Sequence, residues 1–211
     1  IPTEHSMPLV ELMDGLAVPQ ADLSVYPVRD HRFVLVLRGE GLGDRISETD
    51  PQEVGVPPLA AAALSADSES AASAVNAFVV AAREVLRGRE TANMVLLRGF
   101  SRRPHLPDFG TTYRLNPAAI AAYPMYRGLA ELIGMEALST GQTFDDKLDT
   151  LERNLGQHDF FFLHYKPADA AGEDGDFDAK VARLEELDAR IPRLLDMGPD
   201  ALVVVGDHST P

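Results

Sequence analysis

Short apolar runs separated by segments of helical length constrain the fold of this chain more than any other feature. In "HRFVLVLRGEGLGDRI" the run over residues 33–37 is continuous, valine-rich and bounded by charge and glycine, as expected of a buried strand. "ANMVLLRGF" supplies a second such run over residues 94–97, "DFFFLHYKP" a third over 159–164, and "DALVVVGDHSTP" a fourth over 202–205. Between the first two, Val75, Phe78, Val79, Ala82 and Leu86 recur at helical spacing and give a helix over residues 70–86 one apolar face. Strand, helix, strand is a βαβ unit, which implies a parallel sheet covered by helices. The second half continues in the same style. "AAIAAYPMYRGLAELIGM" reads as a small-residue helical region interrupted at Pro124, and "DDKLDTLERNLGQ" as a helix with Leu148, Leu151 and Leu155 on one side. Over residues 177–195, Val181, Leu184, Leu187, Ile191, Leu194 and Leu195 mark a further helix that Pro192 bends or shortens. The expected fold class is therefore α/β. The stretch "SRRPHLPDFGTTYRLNP" is the boundary candidate, with residues 1–113 forming one domain and 114–211 the other.

Charge narrows the partners. Nineteen Lys and Arg stand against 33 Asp and Glu, a formal charge of -14 that repels polyphosphate backbones and anionic lipid alike, so neither nucleic acid nor a membrane surface is expected. A small anionic substrate remains compatible, because a few arginines or a divalent metal reverse the local field inside a cleft. With no cysteine in the chain, disulfides, thiolate zinc sites, iron–sulfur clusters and cysteine nucleophiles are excluded, and any metal must sit on oxygen and imidazole. No apolar run approaches the roughly 20 residues of a spanning helix, and "IPTEHSMPLV" lacks the features of a signal peptide, so a cytoplasmic protein is expected. The missing Met at position 1 leads to the expectation that the chain is processed or begins inside a longer polypeptide. Oligomeric state is not legible here.

Several side chains at strand ends can carry chemistry. Arg38 and Arg98 each close a strand with Arg-Gly, at the carboxyl end where ligands of open α/β sheets bind. Equally, each can cap its strand and pair with a nearby acid. Lys166, Asp169, Glu173, Asp174 and Asp176 follow the third apolar run, and Asp207 and His208 follow the fourth. Manganese, magnesium and zinc take carboxylate oxygen and imidazole, so the two edges share a metal cluster if their strands are neighbours; otherwise the acids form a solvated loop. Asp169 and Glu173 lie four apart, on one face if that loop turns helically.

Whole segments point further. "HDFFFLHYKPADAAGEDGDFDAKV" followed by "VVVGDHSTP" resembles the archaeal type of cofactor-independent phosphoglycerate mutase, in the alkaline phosphatase superfamily. "HRFVLVLRGEGLGDRISETDP" and "ANMVLLRG" resemble earlier segments of that family, in the same order. The resemblance implies part of an alkaline-phosphatase-like core, residues 114–211, with an inserted α/β substrate-side domain, residues 1–113. It implies an isomerase that interconverts 3-phosphoglycerate and 2-phosphoglycerate through a phosphoserine. Two divalent metal ions would be used, manganese first and magnesium or zinc as alternatives, with no organic cofactor and a small phosphorylated substrate. The chemistry calls for such parts. A phosphomonoester dianion repels nucleophiles, and two cations about 4 Å apart neutralise it and stabilise the attacking and leaving oxygens.

Carried over residue by residue, Asp207 and His208 match the metal-ligating "GDHS" pair, and Asp169 matches the acid that opens a "DEAGHDGD"-like motif. Glu173 stands where the family has histidine, a departure that adds negative charge and favours harder ions. In this resemblance Arg38 and Arg98 line the substrate side, orienting carboxylate and phosphate bidentately, and Lys166 faces the phosphoryl group. The family's nucleophilic serine belongs to a segment outside those matched, so no catalytic nucleophile is assigned within the chain, and Ser209 lies in the wrong motif to serve. Two other readings stay open: a catalytically silent metal- or phosphoglycerate-binding relic, and a sister phosphotransferase acting on another phosphate or phosphonate.

Overall fold

The computed structural model describes residues 1–206, 208 and 209. The chain forms two compact units, Ile1–Pro104 and His105–Pro211.

In the first unit, helix α1 (Thr3–Met13) precedes strands β1 (Asp22–Pro27) and β2 (Phe33–Arg38), which form an antiparallel ribbon with Asp22 opposite Arg38 and Pro27 opposite Phe33. Helix α2 (Glu69–Val85) presents the expected apolar face: Val75, Phe78 and Ala82 are fully buried, packed with Val10 and Met13 of α1 and Leu23 and Val25 of β1. The parallel βαβ arrangement expected here is not what forms. Residues 94–97 are extended without being a strand. Leu97 donates its amide to the Thr49 hydroxyl at 2.7 Å and accepts from the Thr49 amide at 3.0 Å, while Val95 and Leu97 fill the same core. The physical reason is that β1 already satisfies β2 through a short connection, which costs less closure entropy than a crossover. β2 is consequently covered on one side only, with Val34 exposed.

The second unit is α/β in the layered sense. Helix α3 (Phe109–Tyr113) leads into strand β3 (Pro117–Ile120), the centre of a parallel sheet ordered β4-β3-β5, with β4 at Glu136–Ala137 and β5 at Phe160–Leu163. Phe109 explains why the division comes at Pro104, ahead of the 113/114 position expected. Its amide donates to the Ile133 carbonyl at 2.8 Å and its ring lies 4.8 Å from that of Phe160. The alanine-rich segment expected to be helical is the central strand, with Ala118, Ala119, Ile120 and Ala121 fully buried. Ile120 packs with Phe144, Leu148 and Leu151, and Ala119 with Ala130 and Met135, so helices cover the strand through two clusters.

Pro124 starts helix α4 (Pro124–Leu132) rather than interrupting one, since a first-turn proline sacrifices no helical hydrogen bond. Helix α5 (Phe144–Asn154) opens on a capping box between Thr143 and Asp146. Helices α6 (Pro167–Glu173), α7 (Phe177–Asp188) and α8 (Ile191–Asp196) follow, and Pro192 in the first turn of α8 divides the single helix expected over residues 177–195. The strand expected over residues 202–205 is likewise corrected. Val203, Val204 and Val205 are exposed, and no ladder partner for them exists among the described residues. An apolar run becomes a strand only where its backbone groups meet a complementary edge.

Candidate metal centre

The site grows from the carboxyl end of β5. His164 follows that strand directly and donates its amide to the Ile120 carbonyl at 3.0 Å, which extends the pairing with β3 by one residue. Tyr165 and Lys166 come next, and Pro167 opens α6. The acidic segment expected as a loop thus turns helically and puts Asp169 and Glu173 one turn apart. "GEDGD" is the punctuation that ends it. Gly175, at φ +71°, donates to the Gly172 carbonyl at 3.0 Å, and Asp176 caps α7 by accepting from the Ala179 amide at 2.9 Å.

Asp169 lies between two cation-competent groups. Lys166 Nζ hydrogen-bonds to its Oδ2, and His208 Nε2 lies 3.5 Å from its Oδ1. Lys166 is held above its ordinary pKa. Burial, the largest single influence, pulls it down, but the Asp169 hydrogen bond and charge, helped by Glu173 and Tyr126, outweigh that pull. Aromatic groups line the same edge: Lys166 Nζ is 5.7 Å from the centre of the Tyr123 ring, and Tyr126 stacks on His164 with ring centres 3.6 Å apart. Beneath them Lys147, a buried residue of α5, donates from Nζ to the His164 carbonyl at 3.0 Å.

Of the residues singled out from sequence, the structure brings together Lys166, Asp169 and His208. Glu173 shares α6 with Asp169, but among the described residues no group of three or more acids and histidines gathers closely enough to hold an ion. Asp207 lies outside the described residues. The donors fit a metal in kind, since a carboxylate and an imidazole suit manganese, magnesium or zinc. The Lys166 ammonium on Asp169 Oδ2 shows that this carboxylate attracts a cation. In the first unit, Arg98 lies 3.7 Å from Glu48 and 3.5 Å from Asp50, and Arg38 donates to the Ser24 hydroxyl at 3.4 Å. For Arg98, which follows an extended segment and not the strand expected, this is the acid pairing that the sequence also allowed.

Sequence reasoning missed Lys147, Tyr123, Tyr126 and His164. The histidine and Tyr165 stood in view at the end of "DFFFLHYKP", whereas Lys147 sits in a polar helix with nothing to distinguish it from a solvated residue.

The family comparison agrees with this donor chemistry. The Metalloenzyme superfamily matches residues 31–211, and the chain belongs to that superfamily. More particular relatives are two proteins each called a probable 2,3-bisphosphoglycerate-independent phosphoglycerate mutase. That of Thermosipho melanesiensis is 44% identical over 211 residues, covering 99% of this chain and 52% of the relative. That of Thermus thermophilus is 46% identical over 216 residues, covering 100% of this chain and 53% of the relative. The chain spans about half the length of the curated relatives it matches. Among solved structures, a Pyrococcus horikoshii protein superposes with a TM-score of 0.70 over 93% of this chain and 51% of its own, at 24% identity. A cofactor-independent phosphoglycerate mutase from Thermoplasma acidophilum does so with a TM-score of 0.55 over 74% of this chain and 47% of its own, at 23% identity. The resemblance drawn from the sequence segments holds, as does the α/β fold class with a partial alkaline-phosphatase-like core.

Proposed function

We propose that the full protein containing this chain is an isomerase that interconverts 3-phosphoglycerate and 2-phosphoglycerate through a phosphoserine intermediate. One observation carries the reading: Asp169, in a chain whose relatives bear that activity in their names along its whole length, meets both Lys166 and His208 at the carboxyl end of β5. Asp169, Glu173, Asp207 and His208 would hold divalent metal, with manganese the first choice and magnesium or zinc as alternatives. Two such ions supply charge neutralisation at the phosphoryl group and stabilise the developing oxyanions. Lys166 pairs with phosphoryl oxygens in exchange for Asp169. Arg38 and Arg98 orient the glycerate carboxylate and phosphate, for which Arg98 gives up Glu48 and Asp50. The substrate is a small phosphorylated acid, reached without nucleic acid or membrane, in a cytoplasmic setting; the net charge of -14 and the lack of any spanning helix among the described residues support this.

The test is a coupled assay that follows 2-phosphoglycerate through enolase. The full gene product loaded with manganese is expected to turn over 3-phosphoglycerate. The 211-residue chain alone is expected to stay silent, because the reading assigns no nucleophile within it. A folded, manganese-loaded full gene product that leaves 3-phosphoglycerate unchanged would sink the reading and favour the relic.

A further inference from the structure

Lys147 is in the wrong place for an ordinary lysine. It is the fourth residue of α5, close behind the Thr143 cap, where the positive end of the helix dipole opposes a cation. It is also only 4% exposed, and taking an ammonium out of water is costly unless a partner compensates. Burial pulls its pKa below the ordinary value, with the neighbouring Asp146 acting in the other direction. An apolar side chain of similar length meets neither cost, so the stability of α5 alone does not account for a charge here.

What the ammonium does hold is the His164 carbonyl, at 3.0 Å. The amide of the same residue makes the last bond of β5 to β3, and its carbonyl stands at the start of the turn carrying Lys166 and Asp169. The His164 ring is held too, stacked on Tyr126 with ring centres 3.6 Å apart. Lys147 and Tyr126 therefore grip the backbone and the ring of the same residue, two positions ahead of Lys166.

We propose that Lys147 is a positioning residue of the candidate site: its buried ammonium clamps the His164 carbonyl and so sets the orientation in which Lys166 meets the phosphoryl group and Asp169 meets the metal. This rests on the function proposed above. Lys147 touches neither substrate nor metal and acts through the peptide it holds.

The test uses the full gene product and Lys147→Met, which keeps length and removes charge and donor. Manganese binding is read from the electron paramagnetic resonance of the free ion, turnover from the enolase-coupled assay, and folding from thermal melting. Loss of an outer partner that orients ligands weakens metal binding by about 10–100-fold, and that is the expected loss here. With it, kcat falls while the KM for 3-phosphoglycerate stays near wild type, and the melting temperature stays at or above the wild-type value. Wild-type manganese affinity and kcat in the folded variant would overturn the proposal. If Lys147→Met fails to fold, nitrogen-15 lysine labelling of the unmutated protein decides: the Lys147 Nζ resonance should move when Mg²⁺ is added, and an unmoved resonance overturns the clamp. A wild type that binds manganese but does not turn over 3-phosphoglycerate sinks the proposed function while the affinity comparison still judges Lys147. A wild type that binds no divalent ion overturns both.

Discussion

Asp169→Asn separates a ligand from a structural acid at the centre of the site. The side chains of Asp169 and Lys166 are 20% and 29% exposed, and a hydrogen bond between fully buried charged groups contributes about 1.5–3 kcal/mol. Partial exposure brings this pair to about 1 kcal/mol. Asparagine keeps an oxygen that still accepts from Lys166, so part of that is retained. A domain of this size loses about 4–8 °C in Tm per kcal/mol, and the substitution should therefore lower Tm by only a few degrees. Metal binding should suffer far more. Removing an outer partner of a ligand already weakens a site by about 10–100-fold, and removing the charged donor itself should reach about 100-fold, or about 2.8 kcal/mol. Scanning calorimetry and manganese titration of the full gene product read the two effects separately. A variant that melts much lower while binding manganese as tightly as wild type would show Asp169 to be a structural partner of Lys166 and refute the argument.

Because each unit has its own core, Phe78→Ala should destabilise the first unit by about 3–5 kcal/mol and Leu148→Ala the second by about 2–5 kcal/mol. Calorimetry should then show each variant shifting a different transition, and equal shifts in both would mean that the units unfold as one. Burial first, then the charge and hydrogen bond of Glu186, push the Tyr165 phenol up to about 12 from an ordinary value of 10.0. A folded-state pKa above the unfolded one contributes stability that is intact below pH about 10 and lost as pH rises towards about 12. Tyr165→Phe should flatten the melting profile across that window, and an unchanged slope there contradicts the assignment. Glu173→His exchanges a hard oxygen donor for imidazole, so competition binding should move from magnesium and manganese towards zinc; no change in metal preference would place Glu173 outside the coordination sphere.

Much of the helical framework was legible in advance. Val75, Phe78 and Ala82 of α2 and Leu148 and Leu151 of α5 announce their buried faces by spacing, and those faces are buried. Strand pairing was less legible. Residues 117–121 read as helical because alanine favours helices, yet a central strand covered by helices has room for little else, and burial overrode propensity. β1 was hidden by a serine and a terminal proline, although Leu23 and Val25 keep the alternation of a half-buried strand. At the site, the motif resemblance singled out Asp169 and His208, and these do meet.

By itself, then, the amino-acid sequence determined what is local along the chain: helix faces such as those of α2 and α5, the α/β class, and the carboxylate and imidazole character of the candidate centre. These follow from periodicity and backbone preference within a few residues, which need no knowledge of distant neighbours. Only the tertiary structure decided that β2 pairs with β1, that residues 94–97 and 202–205 join no ladder among the described residues, and that Lys147 is buried under His164. The physical reason is common to all three. A backbone edge or an ammonium gains or loses free energy according to what lies across from it in space, and that partner is chosen by packing rather than by the residues on either side.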